Sequence, residues 1–594
     1  MSYRHLLSPT RIGTLELPNR IAMAPMGVEL VEADGVVRQP TIDYYVERAR
    51  GGVGLIISEN TSAAYPRGAN SAHEIAVSSD DYLPGLTQLA EAIHAHGSRM
   101  AIQLAHHGKV GRLDTQQGRE ILMPSMPTKQ ASRPTGPLDL SMEEMTLMAK
   151  AAGGGKPRIR VAEKEDLEEL VELFADAAHR AQRAGFDAVE IHGAHGYIFS
   201  EFLSPAWNHR SDEYGGSVEN RSRLLCDVLR ACKARTGGDF PIWCRMDAKE
   251  FSTEGGIVLE DAAVTARLAE EAGADAIHVS AYANPLGAGF TEGPIVHHEG
   301  GFVPFAARIK QAVDVPVIVA GRISPERGEE VIAEGSADLI SMGRPLLADP
   351  ALVSKLGEGR RQEIRPCVYC YVCVAQPFFD QRVRCAVNPV VAEETRYAEA
   401  LRQPAATRRK VVVVGGGPAG IEAACTAAQR GHEVVLFEKS SVLGGTWRFA
   451  ALPYEPNEKM LDWLLDRIER LPVEVRLGEE ATPEKITALT PDVVIAAAGA
   501  VREASTIPGA DLAHVWDGDD LREVLAGQGT TSKGRRVPLL PRLAIAIGRA
   551  IGLTSHPSRL RSASRLYMPL GRRVTVIGGG LVGSELADFC AARG

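Results

Sequence analysis

LEELVELFADAAHRAQRAGFDAVEI, residues 167–191, sets a helix, a glycine and a strand in one line. Leu167, Leu170, Val171, Phe174, Ala178 and Ala181 recur at helical spacing and lay an apolar stripe along one face. Gly185 ends that pattern, and DAVEI (187–191) is an apolar run of strand length. Seven more such runs stand before residue 350: IAMAPM (21–26), VGLIIS (53–58), RMAIQLA (99–105), PIWCRM (241–246), DAIHVS (275–280), PVIVA (316–320) and ADLISM (337–342). Amphipathic segments separate most of them. Strand and helix in alternation predict parallel strands covered by helices, and eight units close economically into a TIM barrel.

Ligands of this fold sit at the C-terminal ends of the strands. The residues there are polar: Glu59 after the second run, Gln103 in the third, His192 and His195 after the fourth, Arg245 in the fifth, Gly321 and Arg322 after the seventh, and Gly343 and Arg344 after the eighth. Any one of these would serve as a helix cap or a turn. The last four together predict a phosphate pocket, because glycine lets backbone N–H groups approach an oxyanion and arginine adds a charge-assisted donor pair.

Beyond the barrel, Cys367, Cys370, Cys373 and Cys385 are separated by two, two and eleven residues. Three bunched thiolates and a distant fourth suit a 4Fe-4S cluster, with zinc as the rival, since four cysteinates satisfy it too. Cys226, Cys232, Cys244, Cys425 and Cys590 read as small buried apolar residues. RKVVVVGGGPAGIEAA (409–424) is a basic start, a strand, a glycine turn and a helix, and Glu438 closes the next strand. Gly415, Gly417 and Gly420 then take the roles of tight turn, close approach to a pyrophosphate and close helix packing. RRVTVIGGGLVGSELA (572–587) repeats the signature with Gly578, Gly580 and Gly583. Two fingerprints predict two dinucleotide sites, commonly one for a flavin and one for a nicotinamide. One strand and one helix do not close a Rossmann half, so the second reads as incomplete, which leaves nicotinamide binding by it open.

The chain has 594 residues, 45% hydrophobic and 24% charged, which is the composition of a soluble multidomain protein. A net charge of -9 without a single-sign block gives no support to a nucleic-acid partner. No apolar run approaches ~20 residues and no Arg- or Lys-led apolar leader precedes the first run, so no transmembrane segment and a cytoplasmic location are expected. Residues 529–570, around LLPRLAIAIGRAIGL, read as an insertion with an ordinary helix.

LPNRIAMAPM (17–26), DYYVERARGGVGLIISE (43–59), IQLAHHGK (102–109), IHGAHGYIFSEFLSPAWNHRSDEYGGSVENR (191–221), VAGRI and MGRPLLADP resemble the Old Yellow Enzyme class of FMN barrels. With the cysteines and the glycine fingerprints, the chain resembles the multidomain branch holding 2,4-dienoyl-CoA reductases, enoate reductases and trimethylamine and histamine dehydrogenases. The resemblance implies an α/β architecture in four parts. Residues 1–355 are the FMN-binding TIM barrel with the substrate site, and 356–408 an iron-sulfur segment and linker. Residues 409–505 begin a Rossmann-like FAD domain, and 506–594 begin an NAD(P)-binding domain interrupted at 529–570. It implies FMN held by Pro25, Met26, Glu59, Gln103 and Arg245, with its phosphate at Gly321, Arg322, Gly343 and Arg344. His192 and His195 match the imidazole pair that holds an activated carbonyl oxygen, and Tyr197 matches the proton donor of the dienoyl-CoA branch. Cys367, Cys370, Cys373 and Cys385 match the cluster ligands, while Gly415, Gly417, Gly420 and Glu438 match the FAD fingerprint. Gly578, Gly580 and Gly583 would open the NAD(P)H domain.

The implied reaction is NAD(P)H-dependent reduction of the C=C bond of an enoyl- or dienoyl-CoA or an enoate. Its rival is an amine dehydrogenase or N-demethylase that exports electrons to a partner protein; self-association is open for either. A third reading is an electron-transfer or scaffold subunit without substrate chemistry. Two departures matter. Gly27 stands where relatives carry Cys or Thr. The loop SAYANPLGAGF (280–290) offers Tyr282 and Asn284 in place of a histidine, with His297 and His298 further along. The Cys370–Cys373 gap resembles the amine branch, whereas His192 stands where that branch has tyrosine. A cationic amine would also want an aromatic cage, for which Trp207 and Trp243 are the nearby tryptophans.

Overall fold

The computed structural model describes residues 2–128, 146–147, 149–150, 153, 156–251, 253–283, 298–500, 507–512, 514–525, 543, 546–548, 550, 556–566, 570 and 573–593. They fall into two compact units, Met1–Ile364 with Tyr369–Ala398, and Arg365–Val368 with Glu399–Gly594.

All eight barrel runs are strands of the first unit: β1 Ile21–Met23, β2 Leu55–Ser62, β3 Arg99–Ala105, β4 Ala188–Gly193, β5 Ile242–Phe251, β6 Ile277–Ala283, β7 Val317–Val319 and β8 Leu339–Met342. They pair in parallel in chain order, and β1 pairs with both β2 and β8, which closes the barrel. The apolar stripe of residues 167–181 lies on helix Lys164–Arg183. Glu163 and Asp166 form a capping box at its start, and Leu167, Leu170, Phe174, Ala178 and Ala181 are buried.

Side chains alternate across each strand, so every second residue points into the barrel. Ala22, Leu55, Ile57, Ala101, Ala188, Trp243, Ala276, Ile318 and Leu339 share one apolar cluster with Ile12, Leu15 and Leu17. Those three lie on an antiparallel hairpin, Thr10–Ile12 with Leu15–Leu17, that closes the N-terminal end of the barrel. Thr14 Oγ1 anchors its tip to the Asp239 carbonyl at 2.8 Å. At the opposite end the register of β2 shifts between Ile57 and Asn60, and that of β5 between Asp247 and Glu250. Such irregularities re-aim side chains at strand ends.

In the second unit β9 Lys410–Val414, β10 Glu433–Glu438, β11 Val473–Leu477 and β12 Val493–Ala496 form a parallel sheet in the order β11-β10-β9-β12. Helix Pro418–Gln429 follows β9, as the first fingerprint predicts. The second fingerprint is met only in part. Helix Leu581–Ala591 forms, but residues 573–579 join no sheet among the described residues, because a single extended run without a neighbour has nowhere to place its backbone hydrogen bonds. The 529–570 segment lies largely outside the described residues, as do Asn284 and His297; helix Pro557–Leu566 is its one described element of length. No described helix is long and apolar enough to cross a membrane.

Candidate active site

Two residues beyond the apolar tier, the inward positions become polar. Glu190 follows Ala188, Gln103 follows Ala101, and His278 follows Ala276. The Glu190 carboxylate is fully buried and accepts from Gln103 Nε2 at 2.7 Å, Trp243 Nε1 at 2.6 Å and His278 Nδ1 at 2.7 Å. Burial alone would raise its pKa. The charge and hydrogen bond of His278, the charge of Arg245 and the Trp243 indole outweigh it and hold the carboxyl below its ordinary value.

One tier higher stand His192, Arg245, Asp247 and Ser280. Arg245 Nη2 donates to Ser280 Oγ at 3.2 Å, and the same hydroxyl lies 2.7 Å from His195 Nε2. His195 sits in the left-handed region at φ 64°, held there by its own N–H donating to Asp247 Oδ2 at 2.7 Å. His192 Nδ1 accepts from the Ala194 N–H at 3.3 Å, which places the ring proton on Nε2. The rings of His192 and His195 are 5.0 Å apart, and Tyr197 packs 4.5 Å from His192 and 4.2 Å from His107. Burial, followed by the neighbouring Arg245 charge, pulls both His192 and His195 well below the usual imidazole range, so both are uncharged at neutral pH. Burial pushes the Tyr197 phenol up and keeps it protonated.

The structure thus brings together His192, His195, Tyr197 and Arg245 from two separate stretches of chain, with Gln103, from a third, one layer beneath. Glu59 is buried close by, and its Oε2 accepts from the Val28 N–H at 2.8 Å, so it braces the loop that carries Pro25, Met26 and Gly27. Sequence reasoning passed over Glu190, His278, Ser280, Asp247 and Lys109. Lys109 Nζ donates to the Gly196 carbonyl at 2.8 Å and lies 4.4 Å from the Trp207 ring and 5.6 Å from the Tyr282 ring.

A cleft at the ends of β5 to β8 is lined by Ala24, Arg245, Gly321, Arg322, Gly343 and Arg344. His298 and Tyr369 line it too. Gly321 is required: its φ is 114°, and a Cβ there would meet Phe302 Cδ2 at 2.7 Å. The Arg245 Nε and Ser341 Oγ are buried there without a hydrogen-bond partner in the protein. Converging cationic and polar groups on a glycine-bordered floor fit a phosphate monoester such as that of FMN.

In the second unit the Gly416 N–H donates to Glu438 Oε2 at 2.7 Å. A Cβ on Gly420 would overlap the Gly415 carbonyl at 1.8 Å, so strand and helix approach as the fingerprint requires. Nothing lies within 4 Å of a Cβ built on Gly417, which leaves that helix N-terminus open to a pyrophosphate. No disulfide joins any of the nine cysteines. Among the described residues no three His, Cys, Asp or Glu side chains gather to hold a metal; Cys367 belongs to the second unit and Cys370, Cys373 and Cys385 to the first. Four thiols are nevertheless the donor set that an iron-sulfur cluster takes.

Residues 5–363 match the NADH:flavin oxidoreductase / NADH oxidase family, and residues 410–470 match FAD dependent oxidoreductases. An NADH oxidase of Thermoanaerobacter brockii is 39% identical over 602 residues, covering 100% of this chain and 82% of its own. The solved structure of 2-naphthoyl-CoA reductase in complex with 2-naphthoyl-CoA superposes with a TM-score of 0.75 at 29% identity, over 86% of this chain and 76% of that one. Histamine dehydrogenase from Rhizobium sp. 4-9 superposes with a TM-score of 0.73 at 28% identity, over 85% and 70%.

Proposed function

Since the chain belongs to the NADH:flavin oxidoreductase / NADH oxidase family and so carries FMN-dependent hydride-transfer chemistry, we propose that it reduces the activated C=C bond of an enoyl- or dienoyl-CoA or of an enoate. The observation that carries this reading is the pair of uncharged imidazoles, His192 and His195, packed with Tyr197 at the mouth of the barrel. When bound, FMN supplies the hydride. Pro25, Met26, Glu59, Gln103 and Arg245 form its bed, and Gly321, Arg322, Gly343 and Arg344 take its phosphate. As the substrate double bond is reduced, negative charge builds on the conjugated carbonyl oxygen. His192 Nε2–H donates to that oxygen, and His195, whose Nε2 accepts from the Ser280 hydroxyl, donates beside it through Nδ1–H; both rings are buried. Tyr197, still protonated at neutral pH, gives its proton to the carbon end.

The proposal includes FAD at Gly415, Gly417, Gly420 and Glu438, and a 4Fe-4S cluster on Cys367, Cys370, Cys373 and Cys385. It also includes NAD(P)H as the source of electrons, with Gly578, Gly580 and Gly583 on its binding turn. Equal amounts of iron and acid-labile sulfide in the purified protein support the cluster, and bound zinc sinks it. The likeness to histamine dehydrogenase favours the amine reading. Against it, the Trp207 and Tyr282 faces that would cage an ammonium already hold that of Lys109, and Trp243 is turned into the barrel onto Glu190.

Anaerobic stopped-flow spectroscopy separates the two. Flavin bleaching by NADH or NADPH, with reoxidation by an enoyl-CoA or enoate, is expected. Bleaching by a secondary or tertiary amine with no response to either nicotinamide overturns the reductase reading.

A further inference from the structure

Cys370 stands between two tyrosines, Tyr369 and Tyr371, that both occupy the left-handed region, at φ 52° and 62°. For a bulky side chain that conformation is strained and persists only where the surroundings impose it. The surroundings here are two guanidinium groups. Arg322 Cζ lies 4.4 Å from the centroid of the Tyr369 ring, Arg344 Cζ lies 5.2 Å from the same ring, and Arg344 Cζ lies 5.0 Å from the Tyr371 ring. Tyr369 is also part of the wall of the cleft that Gly321, Arg322, Gly343 and Arg344 line. Arg322 is itself left-handed, at φ 52°, so both partners of the closest contact hold backbone conformations that their side chains do not favour.

We propose that Tyr369 and Tyr371 are positioning residues that clamp Arg322 and Arg344 in the pose that receives the flavin phosphate, so that FMN retention depends on the loop carrying Cys370. The inference rests on the assignment of this cleft to the FMN phosphate. An arginine beside a polar cleft can swing into water, and each excursion must be reversed before it can pair with a phosphate. An aromatic face opposes that excursion and so removes part of the ordering cost of binding. The linkage is reciprocal: whatever holds the loop tightens the phosphate site, and phosphate in the cleft holds the loop.

The test compares FMN with riboflavin, which has the same ring system and no phosphate. Flavin-stripped full-length wild type, Tyr369→Leu, Tyr369→Phe, Tyr369→Gly and Tyr371→Leu are titrated with each flavin by fluorescence, and thermal melting checks their folding. Tyr369→Leu is expected to weaken FMN binding about tenfold while leaving riboflavin unchanged, with a smaller loss for Tyr371→Leu. Tyr369→Phe keeps the ring and should bind FMN as wild type does. Tyr369→Gly removes the ring and relieves the backbone strain, so it should melt no lower than wild type and still lose FMN. Unchanged FMN affinity in the leucine variants, or equal loss of both flavins, overturns the clamp. If wild type itself binds the two flavins equally well, the assignment of the cleft to the phosphate fails, and the clamp with it.

Discussion

Tyr197 offers the most direct test at the level of single side chains. Tyr197→Phe keeps the ring between His107 and His192 but removes the proton. Alkene reduction should then fall by about 10²–10⁴, while flavin reduction by NAD(P)H is unchanged; following the two half-reactions separately checks this. Glu190 is a structural counterpart. Glu190→Gln replaces an acceptor of three hydrogen bonds with a group that must turn an N–H toward a donor, at a cost of about 3 kcal/mol in urea unfolding. His192, His195 and Arg245 were legible in the sequence because polar residues at barrel-strand ends stand out. Glu190 and His278 were legible in principle, by counting in twos from Ala188 and Ala276, but they lie inside runs whose apolar neighbours mask them. The same count from Arg245 reaches Asp247, but Lys109 could not be found that way, since its partner, the Gly196 carbonyl, is distant in sequence and meets it only after folding.

Among the elements, the strand-to-helix turns carry the chemistry. Gly321→Ala would bring a Cβ against Phe302 in a conformation that alanine disfavours, and the turn must move to accommodate it. FMN content after purification should drop, with affinity down about tenfold, and the flavin-free protein should melt lower as well, since the strained turn costs about 1–3 kcal/mol. A second junction joins helix Gln39–Arg50 to helix Glu394–Arg402. Arg48, fully buried, donates to Glu394 at 2.6 Å and to the Tyr44 carbonyl at 2.6 Å. Glu394→Ala leaves that guanidinium charge without its counter-ion and should destabilise the first unit by about 3–5 kcal/mol in chemical denaturation. The eight barrel strands were readable because each is a short apolar run between polar turns. The second fingerprint shows the limit of that logic, since its residues spell strand, turn and helix, yet a strand exists only where a neighbour accepts its hydrogen bonds.

Over the whole first unit, buried titratable groups oppose one another. Burial lowers His106 to about 4 and His107 to about 3, and also lowers His192 and His195. For these the unfolded chain binds protons first, so stability falls as pH drops below the ordinary histidine value near 6.5. Burial raises Glu29 to about 7, Glu74 to about 8, and Asp247 and Glu201 to about 7. For these the folded chain holds the proton longer, so stability falls as pH rises from the ordinary carboxyl range toward 7–8. The two slopes cancel between about 4.5 and 6.5. Thermal melting of the flavin-free protein against pH should therefore show a plateau there and a decline on either side; a maximum above pH 8 would contradict it. The hairpin of residues 10–17 has a kinetic consequence. With its apolar side chains filling one end of the barrel, molecules reach the reactive face only from the other. The alkene and its reduced product share that entrance and cannot be present together, whereas a nicotinamide on the proposed Gly578, Gly580 and Gly583 turn does not use it. The reduced product should therefore inhibit competitively against the alkene and not against NAD(P)H.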